Sequence, residues 1–435
     1  MRRLSPVALS VIALAVVMTF AYLQGRWYLA SQAIMPPPTT HNASTRVQTT
    51  RQLQATPTYI YSTLKTAVGF VLARAPRGSS GQPLGAPQTV ASFGNNFGLA
   101  ESDSVLSMQL SPDGRYLAIN AAQDHGEQVW IFDTQQRKIS VLPANVSGNF
   151  LNWMPGGNGH TFLYRPMFPL GPDAPLSNGS WNPGLWEVDA ATGAFKNIDI
   201  QMPSAFLVDA AASPDGLRIV YSTSTGLGLG STVWMMRRDG GQITRLFNLS
   251  GPSTINREAT GIAAMFAWSP NGASIAYELL ADSPTPFLPA GLWVMNGNGG
   301  QPRYMAAADG GHGYRLAWSP DGSKIAFVVR TNTSDRQADA LAQSLQCAVG
   351  VVDVATARSW LVASPAQTGM QLNYAPAWIG SGSSVTFVAA NPFNMVLGGT
   401  PRYWSARVGN APMVGANLSR PEPLTPPIAH VVALG

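Results

Sequence analysis

Few residues in this chain have the type and spacing that catalysis or metal binding requires. A Gly-x-Ser-x-Gly nucleophile elbow, a Walker phosphate loop and a His-Glu-x-x-His zinc motif are all absent from the sequence. The single cysteine, Cys347, excludes an internal disulfide and a cysteine-based metal site. No two of the five histidines are close enough to form a local metal-binding pair: His41, His125, His160, His312 and His430. The motifs predict no catalytic residue, no metal site and no cofactor.

The most regularly spaced acidic residues belong to a recurring turn sequence. Ser-Pro-Asp-Gly begins at Ser111, Ser213 and Ser319, and Ser-Pro-Asn-Gly begins at Ser269. These acids could be metal ligands, but Asn271 replaces one of them and no calcium-loop pattern of alternating oxygens surrounds them. Turn formation accounts for them. Proline presets φ at the second position of a β-turn, Asp or Asn tolerates the third, and Gly takes the positive φ that follows.

The turn sequence marks an internal repeat. With looser copies at Met154 and Ile379, the six copies are spaced 43, 59, 56, 50 and 60 residues apart. Each copy separates an apolar strand from an alternating one, and a second hairpin follows about 15 to 30 residues later. A four-strand unit at this spacing is typical of propeller blades and is not expected of a sandwich. We therefore predict an all-β propeller of four-stranded antiparallel blades.

These copies resemble the repeats of the TolB-like β-propeller family, which also occur in the propellers of prolyl oligopeptidase-type enzymes. The resemblance covers residues 100–427 and is specific in four copies. It implies a propeller that is commonly extracytoplasmic and commonly used for binding. The chain ends 56 residues after the last copy, which leaves no space there for the hydrolase domain of the peptidases.

The number of blades depends on the two ends of the propeller sequence. Tyr59–Ser62, Val68–Ala73 and Gln88–Phe93 have strand patterns before the first repeat, and Ile428–Leu434 has one after the last. A C-terminal inner strand that joins N-terminal strands would close the ring as a seventh, composite blade and remove its open edges. We favour seven blades; six blades with peripheral N-terminal strands are the alternative.

The connections that enter each inner strand lie at the mouth of a propeller's central channel. Glu101, Glu258 and His312 occupy such positions in blades one, four and five. A polar ring of these three residues could bind a cation or a polar ligand. The alternative interpretation is that they are ordinary polar loop residues.

The connections between second and third strands are long and unusually apolar, and they share this end of the ring. Aromatic and methionine side chains on one rim are typical of recognition surfaces. Alternatively, these loops fold back over the blade edges. The candidate binding residues here are Met167, Phe168, Trp181, Phe287 and Phe393.

One insertion in blade five has a helical pattern. Ser334 and Gln337 form a plausible capping box, and the segment Ser334–Gln346 carries one apolar stripe. We predict a short helix that packs on its own blade. Cys347, which follows it, is predicted to be a buried apolar residue and not a nucleophile.

The composition suits a strand-rich body. Charged residues make up 11% of the chain, while it contains 43 Gly and 34 Pro. These values argue against a charged disordered chain and against a helical bundle. The net charge of +5 includes three arginines in the first 35 residues, so the remainder is nearly neutral and lacks the basic clusters of a nucleic-acid-binding protein.

The N-terminus has the features of an export signal. Arg2 and Arg3 precede an apolar run from Val7 to Leu23, which predicts a membrane anchor with the propeller outside, or a cleaved signal peptide. We divide the chain into a signal segment (1–27), a Pro/Thr-rich linker (28–56) and the propeller (57–435).

The predicted function is an extracytoplasmic, membrane-anchored binding or scaffold module without catalysis. Its expected partner is a protein, peptide or glycan of the cell envelope, with no nucleic acid involved. The alternative is a propeller hydrolase or lyase with a polar site at the channel mouth, because propellers bring together catalytic groups from distant blades.

Overall fold

The computed structural model describes residues 59–66, 69–78, 83–94, 97, 103–123, 126–155, 160–170, 184–198, 200, 205–226, 229–249, 261–281, 290–309, 316–332, 345–379, 381–391, 402–409, 422–423 and 430–434. The predicted anchor Val7–Leu23 lies outside these residues, as does most of the predicted helix Ser334–Gln346. Within the described residues, no helix is long and apolar enough to cross a membrane.

The described strands form seven four-stranded antiparallel sheets, which confirms the predicted all-β propeller with seven blades. In chain order they are β1 (Tyr59–Thr66), β2 (Gly69–Pro76), β3 (Gln88–Ser92), β4 (Ser104–Leu110), β5 (Tyr116–Gln123), β6 (Gly126–Asp133), β7 (Lys138–Val141), β8 (Val146–Met154), β9 (Thr161–Pro169), β10 (Leu185–Asp189), β11 (Phe195–Ile198), β12 (Phe206–Ala212), β13 (Arg218–Ser224), β14 (Thr232–Arg237), β15 (Thr244–Asn248), β16 (Gly261–Trp268), β17 (Ser274–Ala281), β18 (Ala290–Asn296), β19 (Arg303–Ala308), β20 (Ala317–Trp318), β21 (Lys324–Arg330), β22 (Cys347–Asp353), β23 (Ser359–Ala363), β24 (Leu372–Ile379), β25 (Ser384–Ala390), β26 (Arg402–Arg407), β27 (Glu422–Pro423) and β28 (His430–Leu434). A short helix, α1 (Pro365–Thr368), precedes β24.

Blades one to six take four consecutive strands each, from β4–β7 to β24–β27, and the seventh has the order β28-β1-β2-β3. The first strand of each blade is the innermost. The repeated turns join first to second strands, so they lie at one end of the ring, which we call the motif-turn end. The opposite end, where second strands connect to third strands and each blade connects to the next, is the channel-mouth end.

The seventh blade closes the ring with strands from both ends of the chain. Its innermost strand, β28, pairs antiparallel with β1, and Leu434 lies opposite Ile60. Tyr61 and Phe93 of this blade are buried against Leu117 and Trp130 of blade one. The predicted composite closure is therefore confirmed, and the six-blade alternative is wrong.

The repeated turns have the same hydrogen bonds in each of the four full copies. In blade one, the Ser111 hydroxyl donates to Asp113 Oδ1 (2.5 Å) and accepts from the Tyr116 amide (2.9 Å). The same Asp113 oxygen accepts from the Arg115 amide. Gly114 has φ of 73°, as predicted for the residue that releases the chain into the next strand. The motif aspartates thus act as turn residues, and Asn271 does the same in blade four.

Indole groups link neighbouring blades near these turns. The residue directly before the turn is tryptophan in blades two, four, five and six, and its Nε1 donates to an inner-strand carbonyl of the preceding blade. These bonds are 2.7 to 3.1 Å long: Trp153 to Gln109, Trp268 to Ala211, Trp318 to Ala267 and Trp378 to Ala317. Between blades two and three, the Ala212 amide donates instead to Asn152 Oδ1 (3.3 Å). The position directly before the turn therefore links four pairs of successive blades, and Asn152 links the pair of blades two and three.

Candidate functional site at the channel-mouth end

Two of the eight predicted binding residues, Met167 and Phe168, belong to the part of the chain that the structure describes. Both lie in β9 of blade two, at the channel-mouth end of that strand, so their predicted place in the connection after the strand is wrong: β9 continues to Pro169 through its pairing with β8. The other six lie outside the described residues, so their predicted roles stay predictions: Glu101, Trp181, Glu258, Phe287, His312 and Phe393.

Phe168 is held against blade one while its side chain stays 41% exposed. A Cβ atom on Gly126 would lie 2.8 Å from Phe168 Cζ and 2.5 Å from Ser147 Oγ, so only glycine allows this close approach. The φ of Gly126, 126°, also favours glycine. Ser147 pairs opposite Phe168 in the sheet, and its hydroxyl accepts a hydrogen bond from the Glu127 amide (3.1 Å). Phe168 therefore has a defined position on the rim of blades one and two.

Three more large apolar side chains are exposed at this end of blades one to three. Leu106 in β4 is 50% exposed, Phe206 at the start of β12 is 47% exposed, and Leu229 before β14 is 51% exposed. Together with Phe168 they form what we call the apolar rim. Sequence reasoning missed these three residues. Leu229 had a recognisable signal, since it stands between glycines in the run from Gly226 to Gly230.

The ionisable groups beneath the apolar rim bond to neighbouring blades. Arg165 donates from Nη1 to the Val208 carbonyl (2.6 Å) and from Nη2 to Asn149 Oδ1 (2.7 Å), which joins blades two and three. Asp209 Oδ2 accepts from the amide of Phe266 in blade four (2.9 Å). These hydrogen bonds tie both side chains to neighbouring blades, so the two residues position the rim.

Glu127, also in this region, is half-buried. Burial raises the pKa of its carboxyl group, although the charge of Arg165 opposes the increase. The nearby phenol of Tyr164 has a pKa raised by burial and, to a smaller degree, by the charge of Glu127.

A different group of polar side chains lies between blades four and five. Glu278 in β17 is 1% exposed, and Asp309, directly after β19, is 3% exposed. In its sheet Glu278 lies opposite Ala264 and Leu292, both of which belong to the apolar cluster shared by blades four and five. Its Oε1 atom has no hydrogen-bond partner among the described residues. An acid is thus enclosed in an apolar interface.

The surroundings of Glu278 favour its protonated form. Burial raises the pKa of its carboxyl group well above the usual value, and the negative charge of Asp309 raises it further. Asp309 accepts a hydrogen bond from the thiol of Cys347 (Sγ to Oδ2, 3.1 Å), and its own amide donates to the Val328 carbonyl (2.9 Å). A protonated acid beside a second carboxyl group is an arrangement that general acid–base catalysis uses.

Cys347 is fully buried, as the sequence predicts for an apolar position. Arg330, 3% exposed, lies opposite Cys347 in the sheet of blade five, and residues opposite each other in a sheet share a face. Sequence reasoning missed both Glu278 and Asp309. Glu278 had a signal, since it is the one charged residue in the apolar strand Ser274–Ala281; Asp309 lies three residues before the predicted His312.

Within the residues that the structure describes, no three His, Cys, Asp or Glu side chains are arranged to hold a metal ion. Asp113, which the repeat singles out, instead accepts a hydrogen bond from the Ser111 hydroxyl and lies 2.5 Å from His160 Nε2 of blade two. Burial alone would raise the pKa of Asp113, but these hydrogen bonds and that of the Arg115 amide lower it overall.

The sequence matches no known family profile and no curated protein. Solved structures share the fold. An oligogalacturonate lyase from Vibrio parahaemolyticus is 13% identical over 81% of this chain and 87% of that chain, with a TM-score of 0.52. A puromycin hydrolase is 15% identical over 84% of this chain and 53% of that chain, with a TM-score of 0.50.

TolB from Acinetobacter baumannii is 16% identical over 70% of this chain and 63% of that chain, with a TM-score of 0.42. These likenesses show the fold alone.

Proposed function

We propose that this protein is an extracytoplasmic, membrane-anchored propeller that binds a protein or peptide partner through the apolar rim, without catalysis. The observation that carries the proposal is the rim itself. Leu106, Phe168, Phe206 and Leu229 are each between 41% and 51% exposed at one end of three consecutive blades. A partner that covers apolar side chains gains about 25 cal/mol for each Å² removed from water.

The rim has the mixed character of recognition surfaces. Aromatic side chains of fixed position are the usual anchors of an interface, because little conformational entropy is lost when they are covered. Phe168 has such a position through its contact with Gly126. A glycan is the alternative partner, since aromatic rings also stack on sugars, and the loop residues Trp181, Phe287 and Phe393 would extend the surface.

The repeat and the N-terminus support the location. Four Ser-Pro-Asp-Gly-type turns resemble those of the TolB-like family, whose propellers are commonly extracytoplasmic and used for binding. Arg2, Arg3 and the apolar run from Val7 to Leu23 supply an anchor with the charge pattern that places the following chain outside.

Recovery of a cross-linked partner from detergent extracts tests the proposal. The double variant Phe168→Ser and Phe206→Ser should reduce recovery at least about tenfold, since loss of a buried aromatic anchor costs about 2 kcal/mol or more. The matched control is Leu217→Ser, because Leu217 is 65% exposed but lies at the motif-turn end. Equal recovery with both variants, or equal loss with both, would contradict binding at the rim.

A second candidate function rests on Glu278. We infer that, if the propeller is an enzyme, Glu278 and Asp309 supply the acid and base of a lyase or hydrolase reaction. The supporting observation is the raised pKa of a buried carboxyl group beside a second one, which is typical of catalytic acids. Their low exposure requires that a substrate reach them through the connections at the channel mouth.

An activity assay distinguishes the two candidates. Oligogalacturonates and puromycin are the first substrates to test, because they are named for enzymes of the same fold. If Glu278 is catalytic, Glu278→Gln should lower kcat at least about 100-fold, the usual contribution of a general acid or base. Turnover that Glu278→Gln leaves unchanged would exclude this role, while Phe168→Ser serves as a control variant outside the acid pair.

A further inference from the structure

The exposed charges of the propeller are distributed unevenly between its two ends. The overall balance of the chain is nearly neutral after its first 35 residues, yet seven exposed basic side chains lie at the motif-turn end among the described residues. They come from all six blades that are built of consecutive strands: Arg137, Lys138, Lys196, Arg237, Arg303, Arg358 and Arg407.

The exposed acids at the same end are fewer than the bases, and they keep their negative charges. Asp113, Asp215 and Asp321 accept hydrogen bonds inside their own turns. Asp239, the fourth, pairs with Arg237 (2.5 Å). The Asp321 carboxylate is stabilised so strongly, first by the Ser319 hydroxyl, that its pKa falls to about 2.

Most of the exposed bases have no such acidic partner. Arg137, Lys138, Lys196, Arg358 and Arg407 form no ion pair with any acid that the structure describes. Their charges face solvent from four different blades. Because the seven exposed bases outnumber the four exposed acids, the described part of the motif-turn end has an excess of positive charge that is spread around the ring.

The N-terminal segment leaves the propeller from this same end. Tyr59 begins β1 opposite Pro76, at the end of the blade from which β1 runs toward the channel mouth. Its neighbour Ile60 lies opposite Leu434, the last residue of the inner strand. The apolar run that ends at Leu23 is therefore tied to the positive surface by residues 24–58.

We propose that the motif-turn end docks on anionic lipid headgroups of the bilayer in which Val7–Leu23 is anchored. This inference rests on the anchor of the proposed function. Thirty-five residues separate Leu23 from Tyr59, and a chain of that length extends to at most about 120 Å. Such a tether keeps the local concentration of the two surfaces high, so weak electrostatic contacts are sufficient for docking.

Docking in this orientation has a consequence for the proposed binding site. The motif-turn end and the channel-mouth end are opposite faces of one ring. With the first against the lipid, the apolar rim of Leu106, Phe168, Phe206 and Leu229 points away from the bilayer, where a partner can reach it.

Hydrogen–deuterium exchange on the full-length chain in nanodiscs tests the orientation. Nanodiscs that contain phosphatidylglycerol should slow amide exchange in the turns at 134–137 and 354–358, compared with nanodiscs of phosphatidylcholine alone. The slowing should disappear near 1 M salt, where the Debye length is about 3 Å. Exchange near Leu229 should be the same in both lipids.

Charge variants test which basic residues cause the docking on anionic lipid. The variant Arg137→Gln with Arg358→Gln should weaken docking about 25-fold, since each basic residue near an anionic surface contributes roughly a factor of five. The control is Arg402→Gln, which removes an exposed charge at the start of β26, at the channel-mouth end; it should weaken docking less than Arg137→Gln or Arg358→Gln alone.

The outcomes distinguish a failure of membrane docking from a failure of partner binding at the apolar rim. Equal exchange in the two lipids, slowing near Leu229, or an effect of Arg402→Gln equal to that of Arg137→Gln or Arg358→Gln alone would overturn the docking. If the chain does not copurify with nanodiscs at all, the anchor is wrong and the docking falls with it. Loss of partner recovery with the rim variant, by contrast, concerns the apolar rim alone.

Discussion

The two ends of this propeller differ in how regular they are. At the motif-turn end, blades one, three, four and five repeat the same hydrogen bonds, with Ser and Asp or Asn side chains in the same roles. At the channel-mouth end each blade differs: blade two carries the exposed Phe168, whereas blade four carries the buried Glu278. The repeated residues of the motif-turn end therefore build the ring, whereas the residues that differ between blades at the channel-mouth end are available for function.

The regular end also brings successive blades into contact. A Cβ atom on Gly272 would lie 3.7 Å from Pro214 Cδ, and one on Gly322 would lie 3.7 Å from Pro270 Cδ, so each turn touches the turn before it. Substitutions there disturb two blades.

The largest expected effect concerns closure of the ring. Deleting residues 428–435 removes β28, exposes the inner edge of β1 and leaves blade seven with three strands. We expect a sharp decrease in melting temperature or loss of soluble protein, measured by circular dichroism. Deleting Gly435 alone is the control, since β28 ends at Leu434. An unchanged melting temperature after the longer deletion would show that the ring does not depend on this strand.

The next effect concerns the indole bonds between blades. Trp318→Phe removes the Nε1 donor to the Ala267 carbonyl while it keeps an aromatic ring. The bond is only partly buried, so its loss should cost about 1 kcal/mol and the midpoint of urea unfolding should decrease.

Trp360→Phe is the matched control, because Trp360 Nε1 is buried without a hydrogen-bond partner among the described residues. The inter-blade bonds would be unimportant for stability if both variants had the same midpoint.

At the channel-mouth end we expect a substitution that stabilises. The folded state raises the pKa of Glu278, so the folded protein binds this proton more tightly than the unfolded chain. Stability is therefore highest below the unfolded pKa of about 4.3 and decreases as the pH rises above it. Glu278→Gln should raise the melting temperature at pH 7.

The increase should become smaller at about pH 3, well below the unfolded pKa of about 4.3, where Glu278 is protonated in both states. Phe168→Ser, at the same end, should show no such dependence on pH. A Gln variant that is less stable at pH 7 than the unmodified protein would indicate that the charged form of Glu278 is needed.

The smallest effect concerns the acid of a motif turn. Asp321→Asn keeps the acceptor for the Ser319 hydroxyl and the Ser323 amide, as Asn271 does in blade four. We expect little change in melting temperature at pH 7, whereas Asp321→Ala should cost about 1 kcal/mol.

Because the folded pKa of Asp321 is about 2, its contribution is present above the unfolded pKa of about 3.9 and is lost as the pH falls toward 2. The Asn variant should not share this loss. Equal pH dependence of the Asp321→Asn variant and the unmodified protein would show that the carboxylate contributes nothing.

Much of the ring could be predicted because its signals are local. The turn at Ser111 needs only the residues up to Tyr116, and the positive φ of Gly114 follows from its place in the turn. The site was less predictable. Met167 and Phe168 were found as apolar residues of a predicted connection, but Leu106 and Phe206 lie in inner strands, where an apolar residue gives no sign of exposure.

What the sequence determined by itself is the blade and its repetition. Proline, Asp or Asn, and Gly in order form a turn through contacts within a few residues. Four such turns and two looser copies, at spacings of 43 to 60 residues, predict the propeller. Only the tertiary structure decided that Leu434 pairs with Ile60, that the Cys347 thiol donates to Asp309, and that the charge of Asp309 acts on Glu278. These contacts join residues that are at least about 30 positions apart in the chain, so they depend on how the strands and blades pack and not on any local pattern.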